Sequence, residues 1–145
     1  MIKDVKVLVR TNINYHNSTN ELIEYQYNGT QYLKKNNIFL RYKDNNNQDM
    51  GNTWTIVKWN EGENPTRVTL IRQGETRSKN VFQKGYKHIG EYYSLSLLFE
   101  METTTKDLYI KKKANGGQIL VNYNLKLNNQ LIGNYIFEID YIFDK

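Results

Sequence analysis

Residues 66–90 contain side chains that could together bind an anionic ligand. If this segment forms strands, alternation puts Arg72 on the same face as Val68 and Leu70. A guanidinium among apolar residues is costly to bury unless it is paired or faces a wet cavity. If Leu70 points inward, the same alternation directs five polar side chains inward as well: Arg72, Ser78, Asn80, His88 and Tyr92. This set predicts a site for a carboxylate or phosphate group, with Arg72 as its cation.

Tyrosines extend the predicted site. Tyr25, Tyr42 and Tyr123 fall on the apolar faces of other alternating segments. A dry core would favour Leu, Ile and Phe, because each buried phenol needs a hydrogen-bond partner. These three residues are therefore predicted to join the ligand site. The alternative is structural: the phenols and Arg72 would reach water at a barrel rim, and His88 would be a hydrogen-bonded wall residue.

A second set of cations is predicted to point outward. It comprises Arg67, Arg77, Lys79 and Lys87. Residues 66–90 hold six basic residues against one acidic residue, so this segment accounts for the whole net charge of +5. Such a surface can simply aid solubility, or it can bind nucleic acid or an acidic partner. The chain lacks the signatures of common nucleic-acid-binding folds, so ligand binding is the preferred function and nucleic-acid binding the alternative.

Catalysis has little support in the sequence. No HExxH, Walker A, GxSxG or dinucleotide-binding motif is present. The carboxylate pairs Glu100/Glu102 and Glu138/Asp140 alternate with apolar residues, so they are expected to face water. With no cysteine and only two histidines, His16 and His88, there is no spacing typical of a metal site. We therefore expect a protein without enzymatic activity, metal or cofactor.

The elements that must position these residues are strands. The chain has 12 Tyr, 5 Phe and one Pro, a composition that favours sheet. Period-2 alternation is clearest in residues 119–127 and 135–143. Asn28-Gly29 and Asn128-Asn129 are typical of tight hairpins, whereas residues 45–52 and 60–66 suit longer loops. These features predict an all-β chain forming one domain over residues 1–145, a closed or nearly closed antiparallel barrel of about eight to ten strands.

The same features indicate where the protein works. A chain without cysteine has no disulfides, and the N-terminal residues do not resemble a signal peptide. No apolar run approaches the length of a membrane-spanning helix. We expect a cytoplasmic protein without membrane contact, either monomeric or a homodimer formed through exposed apolar side chains such as Leu98.

The order of several short motifs resembles the YwiB-like family of Gram-positive bacteria. The motifs are DVKVLVRT, YLKKNNIFLRYKD, VTLIRQG, VFQKG, KHIGEYYS and GGQILVNYNLKLNNQLIG. Arg72 and Gly74 match the family's Arg-x-Gly, and the segment from His88 to Ser94 matches its His-x-Gly-x-Tyr-x-Thr with serine in the last place. The resemblance implies a cytoplasmic protein with a calycin-like, lipocalin-resembling barrel. It implies no activity.

Overall fold

Ten strands close into one barrel in the computed structural model, which describes residues 2–44, 51–62, 64–94 and 96–144. The strands are β1 (Ile2–Tyr15), β2 (Asn20–Lys34), β3 (Asn37–Asp44), β4 (Thr53–Asn60), β5 (Arg67–Gly74), β6 (Arg77–Gln83), β7 (Lys87–Ser94), β8 (Leu97–Lys113), β9 (Gly116–Leu127) and β10 (Gln130–Phe143). Each strand pairs antiparallel with the next, and β1 pairs with β10. The predicted all-β antiparallel barrel is confirmed. Within the described ranges no helix is long and apolar enough to cross a membrane.

The middle of the barrel is filled with hydrocarbon. Its side chains are at most 1 % exposed and come from five different strands: Val7, Leu40, Val57, Val121 and Ile139. We call these five residues the apolar plug. Close packing of branched side chains in this layer stabilises the barrel, and the layer lies between the two cavities at its ends.

The apolar plug divides the barrel interior into two ends with different linings. On β3, Ile38 lies on one side of Leu40 and Tyr42 on the other. On β9, Ile119 lies at the same end as Ile38, and Tyr123 lies at the same end as Tyr42, with Val121 between them. The inward residues beyond the plug line a cavity at each end of the barrel. A ligand site in this protein is therefore confined to one end rather than to a central lumen.

Two predicted turns had different outcomes. Asn128 and Asn129 have positive φ values of 49° and 65° and connect β9 to β10, as predicted. The hairpin predicted at Asn28-Gly29 is wrong, because both residues lie inside β2. A Cβ on Gly29 would come within 2.6 Å of the Arg41 carbonyl oxygen, so glycine permits a close strand approach there rather than a turn. Residues 45–50 of the predicted loop lie outside the described residues.

The wall opens between β6 and β7. These strands pair only at Arg77–Tyr93 and Ser78–Tyr92, whereas β7 pairs with β8 along its full length. Beyond those two pairs, residues 79–83 and 87–91 make no ladder pairs with each other. We call this unpaired stretch the opening, and two of the predicted site residues, Ser78 and His88, border it.

A conservative pair of substitutions on β10 tests the inward and outward assignment. Ile139 is fully buried in the plug, and Ile142 is 55 % exposed on the same strand. Ile139→Val should lower the free energy of unfolding by about 1 kcal/mol, because it removes a buried methyl group. Ile142→Val should change it by less than about 0.5 kcal/mol. Equal effects in urea denaturation would contradict the assigned faces.

Candidate ligand-binding site

A cavity of about 330 Å³ opens at the end of the barrel where β1 and β9 finish. Seven tyrosines line it: Tyr15, Tyr25, Tyr27, Tyr42, Tyr92, Tyr123 and Tyr135. We call it the tyrosine cavity. Six of the eight side chains predicted for the ligand site lie on its surface: Arg72, Asn80, Tyr92, Tyr25, Tyr42 and Tyr123. Whether they bind a ligand remains a prediction.

Strand register brings residues from five strands into one inward row. Tyr42, Thr55, Arg72, Ser78 and Tyr92 lie directly opposite one another from β3 to β7. Side chains that face each other across an antiparallel ladder project to the same side, with Cβ atoms about 5 Å apart. The row therefore sets the Arg72 guanidinium between hydroxyl groups, on the cavity side of the plug.

Two buried polar atoms of the tyrosine cavity have no hydrogen-bond partner. They are Nε of Arg72 and Oδ1 of Asn80, and Asn80 is only 4 % exposed. The Asn80 amide nitrogen lies 3.7 Å from the Met101 sulfur, a weak acceptor. Among the described residues Arg72 makes no ion pair within 4.0 Å. An unsatisfied buried polar group costs about 1–3 kcal/mol, so this cavity holds an unused donor and an unused acceptor.

Asp44 is a cavity residue that the sequence reasoning missed. It is 5 % exposed, and its carboxylate accepts hydrogen bonds from the Thr55 and Tyr27 hydroxyls. Continuing the alternation of Ile38, Leu40 and Tyr42 by one step would have found it. At the rim Glu21 accepts a 2.6 Å hydrogen bond from the Tyr15 hydroxyl. Both carboxylates therefore accept hydrogen bonds from hydroxyl groups. Among the described residues, Arg72 is the one cationic side chain that lines the cavity.

Burial raises the pKa of several cavity phenols, which favours their neutral form. Burial raises the pKa of Tyr123 to about 12, although the Arg72 charge opposes the rise. Burial raises the pKa of Tyr42 further, and burial together with the nearby Asp44 carboxylate raises that of Tyr27. The Arg72 charge opposes the rise in the pKa of both Tyr42 and Tyr123, and all three residues line the cavity. A ligand head group at Arg72 would therefore meet neutral hydroxyl groups beside one cation.

Ser78 and His88 do not line the tyrosine cavity, contrary to prediction. Ser78 faces inward in the row, and its buried hydroxyl has no partner, but the residue borders an outer groove. His88 lies in the opening between β6 and β7, beside Gly90 and Lys79, and lines the same groove. Partial burial and then the Lys79 charge lower its pKa, which favours neutral imidazole. The alternation assigned the correct face, but it could not show that β6 and β7 pair at just two positions.

The four predicted outward cations are all exposed. Arg67 donates two hydrogen bonds to the Gln83 side-chain oxygen at 3.0 and 3.1 Å. The Arg77 guanidinium lies 4.4 Å from the Tyr93 ring centre. Lys79 is on β6, whereas Lys87 is on β7, across the opening. The sequence therefore grouped together cations that the structure divides between two parts of the wall.

Comparison with known proteins identifies the family. The family model described as "Domain of unknown function (DUF1934)" matches residues 7–139. The chain belongs to the DUF1934 family. The uncharacterized β-barrel protein YwiB of Bacillus subtilis is 29 % identical over 110 residues, which cover 76 % of this chain and 73 % of that protein. Its crystal structure superposes with a TM-score of 0.84 at 25 % identity, covering 99 % of this chain and 94 % of the other. The predicted YwiB-like relationship is confirmed.

This DUF1934 barrel also has a cavity at the opposite end, which the sequence did not predict. Its volume is about 600 Å³, and Trp59 and Tyr141 lie in it beside Phe143. Burial raises the pKa of Tyr141 to about 12. Four lysines surround it, against one carboxylate from Glu61: Lys3, Lys111, Lys112 and Lys113. This lysine-rich end contains no unpaired buried polar atom among the described residues, which distinguishes it from the tyrosine cavity.

Proposed function

We propose that this DUF1934 protein binds one small, partly apolar molecule with an anionic head group in the tyrosine cavity. The observation that carries the proposal is the unpaired Nε of Arg72 beside the unpaired Oδ1 of Asn80. A protein that must keep these groups buried loses stability unless a ligand satisfies them. A carboxylate or phosphate oxygen would accept from Arg72, and a hydroxyl or amide of the ligand would donate to Asn80.

The rest of the cavity suits the apolar part of such a ligand. Val9, Ile13, Leu125 and Phe137 line it away from Arg72. A volume of about 330 Å³ is at the low end of the range for small-molecule sites. The ligand is therefore a short-chain or single-ring molecule rather than a long lipid. Head-group recognition at Arg72 and apolar burial beside it would together give affinity and orientation.

We further propose a calycin-like carrier without enzymatic activity, working in the cytoplasm. The up-and-down strand order and a ligand cavity at one end are features of lipocalin-type barrels, although those have eight strands. The absence of cysteine suits a reducing compartment. Among the described residues no cluster of three metal-ligating side chains occurs. A monomer is sufficient for this function, and a homodimer would form through exposed apolar side chains outside the cavity.

Calorimetric titration with octanoate tests the proposal. Octanoate has a short apolar chain and a carboxylate, and 1-octanol is its neutral analogue. Arg72→Gln should weaken octanoate binding by about 10- to 100-fold, because a hydrogen bond to a charged group contributes about 1.5–3 kcal/mol. The wild-type protein should prefer octanoate over octanol by a similar factor, and the variant should lose that preference.

Arg67→Gln is the matched control, since Arg67 is an exposed arginine on the same strand. It should bind octanoate as the wild type does. Equal octanoate affinity of the Arg72→Gln and wild-type proteins would refute the site. Loss of binding in a Lys111→Gln/Lys113→Gln variant, with Arg72→Gln unaffected, would move the site to the lysine-rich end.

A further inference from the structure

The outer surface of β3 to β6 carries positive charge without any negative charge. Alternation and exposure assign to this surface the outward residues of four adjacent strands, all of which are described. They include six cations and no carboxylate: Arg41, Lys43, Lys58, Arg67, Arg77 and Lys79. We call this surface the cationic face.

Register interleaves these cations with rings and aliphatic side chains. One row runs from Arg41 through Ile56 and Ile71 to Lys79 across the four strands. In the next row Phe39 lies opposite Lys58. At a strand spacing of about 4.8 Å, the two ends of the first row are roughly 14 Å apart. The cations therefore frame a central strip that is apolar and half-buried.

Aromatic rings on the cationic face are already stacked. The Arg41 guanidinium lies 3.8 Å from the Trp54 ring centre, and Trp54 is 37 % exposed. Phe39 stacks on Tyr32 of the neighbouring strand at 5.0 Å and an interplanar angle of 5°. These contacts hold two flat ring surfaces against the wall, where a further planar group could stack on them.

Among the described residues, none of the six cations forms an ion pair with a carboxylate within 4.0 Å. The ion pairs of the described residues lie elsewhere, on the outer surfaces of β1, β2 and β10 and of β8 and β9. The Arg67 guanidinium donates to a neutral amide, the side chain of Gln83. The charge of this face is thus not neutralised within the described chain, and it attracts anions.

We propose that the cationic face binds single-stranded nucleic acid. Cations would contact phosphates while bases stack on Trp54 and on the Tyr32–Phe39 pair, the combination found in sequence-tolerant single-strand binders. The outer wall of a closed barrel is convex, so it cannot enter a duplex groove as a helix does, but a flexible single strand can follow it.

An acidic protein would make no use of the stacked rings. An anionic membrane would favour protruding apolar groups, and Trp54 is the one exposed large apolar residue on this face.

This face differs from the basic set predicted from the sequence. Arg67, Arg77 and Lys79 belong to it, but half of its cations and its stacking residue Trp54 come from the β3–β4 hairpin. Lys87 lies across the opening in the wall. The interface is also on the outside of the barrel, so it neither requires nor competes with a ligand in the tyrosine cavity.

Fluorescence anisotropy with a labelled oligouridylate of about 12 nucleotides tests the proposal. Binding at about 50 mM salt should weaken with a log–log salt slope of roughly −4, as expected for six phosphate contacts to a single strand. Arg41→Gln/Lys58→Gln/Lys79→Gln should reduce affinity at least tenfold and bring the slope to about −2. Trp54→Ala should reduce affinity about 5- to 100-fold with little change in slope.

The control variant Lys6→Gln/Lys106→Gln/Lys126→Gln removes the same charge from the other side of the barrel. It should bind the oligonucleotide as the wild type does. Quenching of tryptophan fluorescence upon binding should disappear in Trp54→Ala, because Trp59 is buried at 4 % exposure.

Several outcomes would overturn the proposal. Equal losses in the two triple variants would mean that binding follows net charge alone. Full competition by polyglutamate would assign the face to an acidic protein. Binding to phosphatidylglycerol vesicles without binding to the oligonucleotide would assign it to a membrane surface.

Discussion

Above about pH 10 the folded barrel should lose stability steeply and unfold within about two pH units. Tyr27, Tyr42 and Tyr141 are at most 6 % exposed, and burial raises the pKa of each. In the unfolded chain these phenols ionise near pH 10, whereas in the barrel they remain protonated. The unfolded state therefore binds fewer protons, and stability falls with rising pH by about 1.4 kcal/mol per pH unit for each phenol.

These three phenols alone give a slope of about 4 kcal/mol per pH unit, against a total stability of about 5–15 kcal/mol. Phenolate absorbance and β-sheet circular dichroism should change together in one cooperative transition. Tyr42→Phe/Tyr141→Phe should shift the transition to higher pH, because it removes two of the buried phenols. A gradual titration of all tyrosines near pH 10 with the circular dichroism unchanged would refute the burial of these hydroxyls.

The sequence was sufficient for the barrel because most strands obey a strict period of two. Residues such as Ile119, Val121 and Tyr123 alternate without interruption, so their inward direction follows from pattern alone. Two strands are irregular: β10 shifts register between Leu131 and Gly133 near its start, and β8 shifts between Thr105 and Asp107 in its interior. The inward set changes there from Thr103 and Thr105 to Leu108 and Ile110. A bulge of this kind exchanges the two faces within one strand and leaves no compositional signal.

The candidate site was predictable only where it depends on which face of its strand a residue occupies. Arg72 and Asn80 share a face with Leu70 and Phe82, and both lie on the tyrosine cavity. His88 has the correct phase but lies in the opening, because β6 and β7 pair at just two positions. The length over which two neighbouring strands pair depends on the whole closed sheet rather than on local sequence.

The cationic face shows the same limit for residues that are distant in the chain. Arg41 and Lys79 are 38 positions apart, yet they occupy one row because three successive registers align them. A count of charge along the chain finds the cluster in residues 66–90 and misses the β3–β4 hairpin. A surface that strand register assembles from distant residues can be recognised only when the strand pairing is known.

Replacing the unpaired polar groups of the tyrosine cavity should stabilise the barrel and abolish ligand binding together. In Arg72→Met/Asn80→Leu, side chains of similar length or volume replace a guanidinium with an unpaired Nε and an amide with an unpaired Oδ1. Each unsatisfied buried group costs about 1–3 kcal/mol, so the free energy of unfolding should rise by about 2–6 kcal/mol in the absence of ligand. Urea denaturation measures the gain, and calorimetry should detect no octanoate binding. A gain in stability together with a loss of ligand binding is expected when buried polar groups serve binding at the expense of stability.

Arg67→Met is the control, because it makes the same change at an exposed position of β5 and should alter stability by less than about 0.5 kcal/mol. Destabilisation of the double variant by about 3–5 kcal/mol would have the opposite meaning. Arg72 would then serve as a structural counter-charge to buried Asp44, and its removal would leave that carboxylate uncompensated. The sign of one stability change thus separates a cavity that awaits a ligand from a polar core that holds the barrel together.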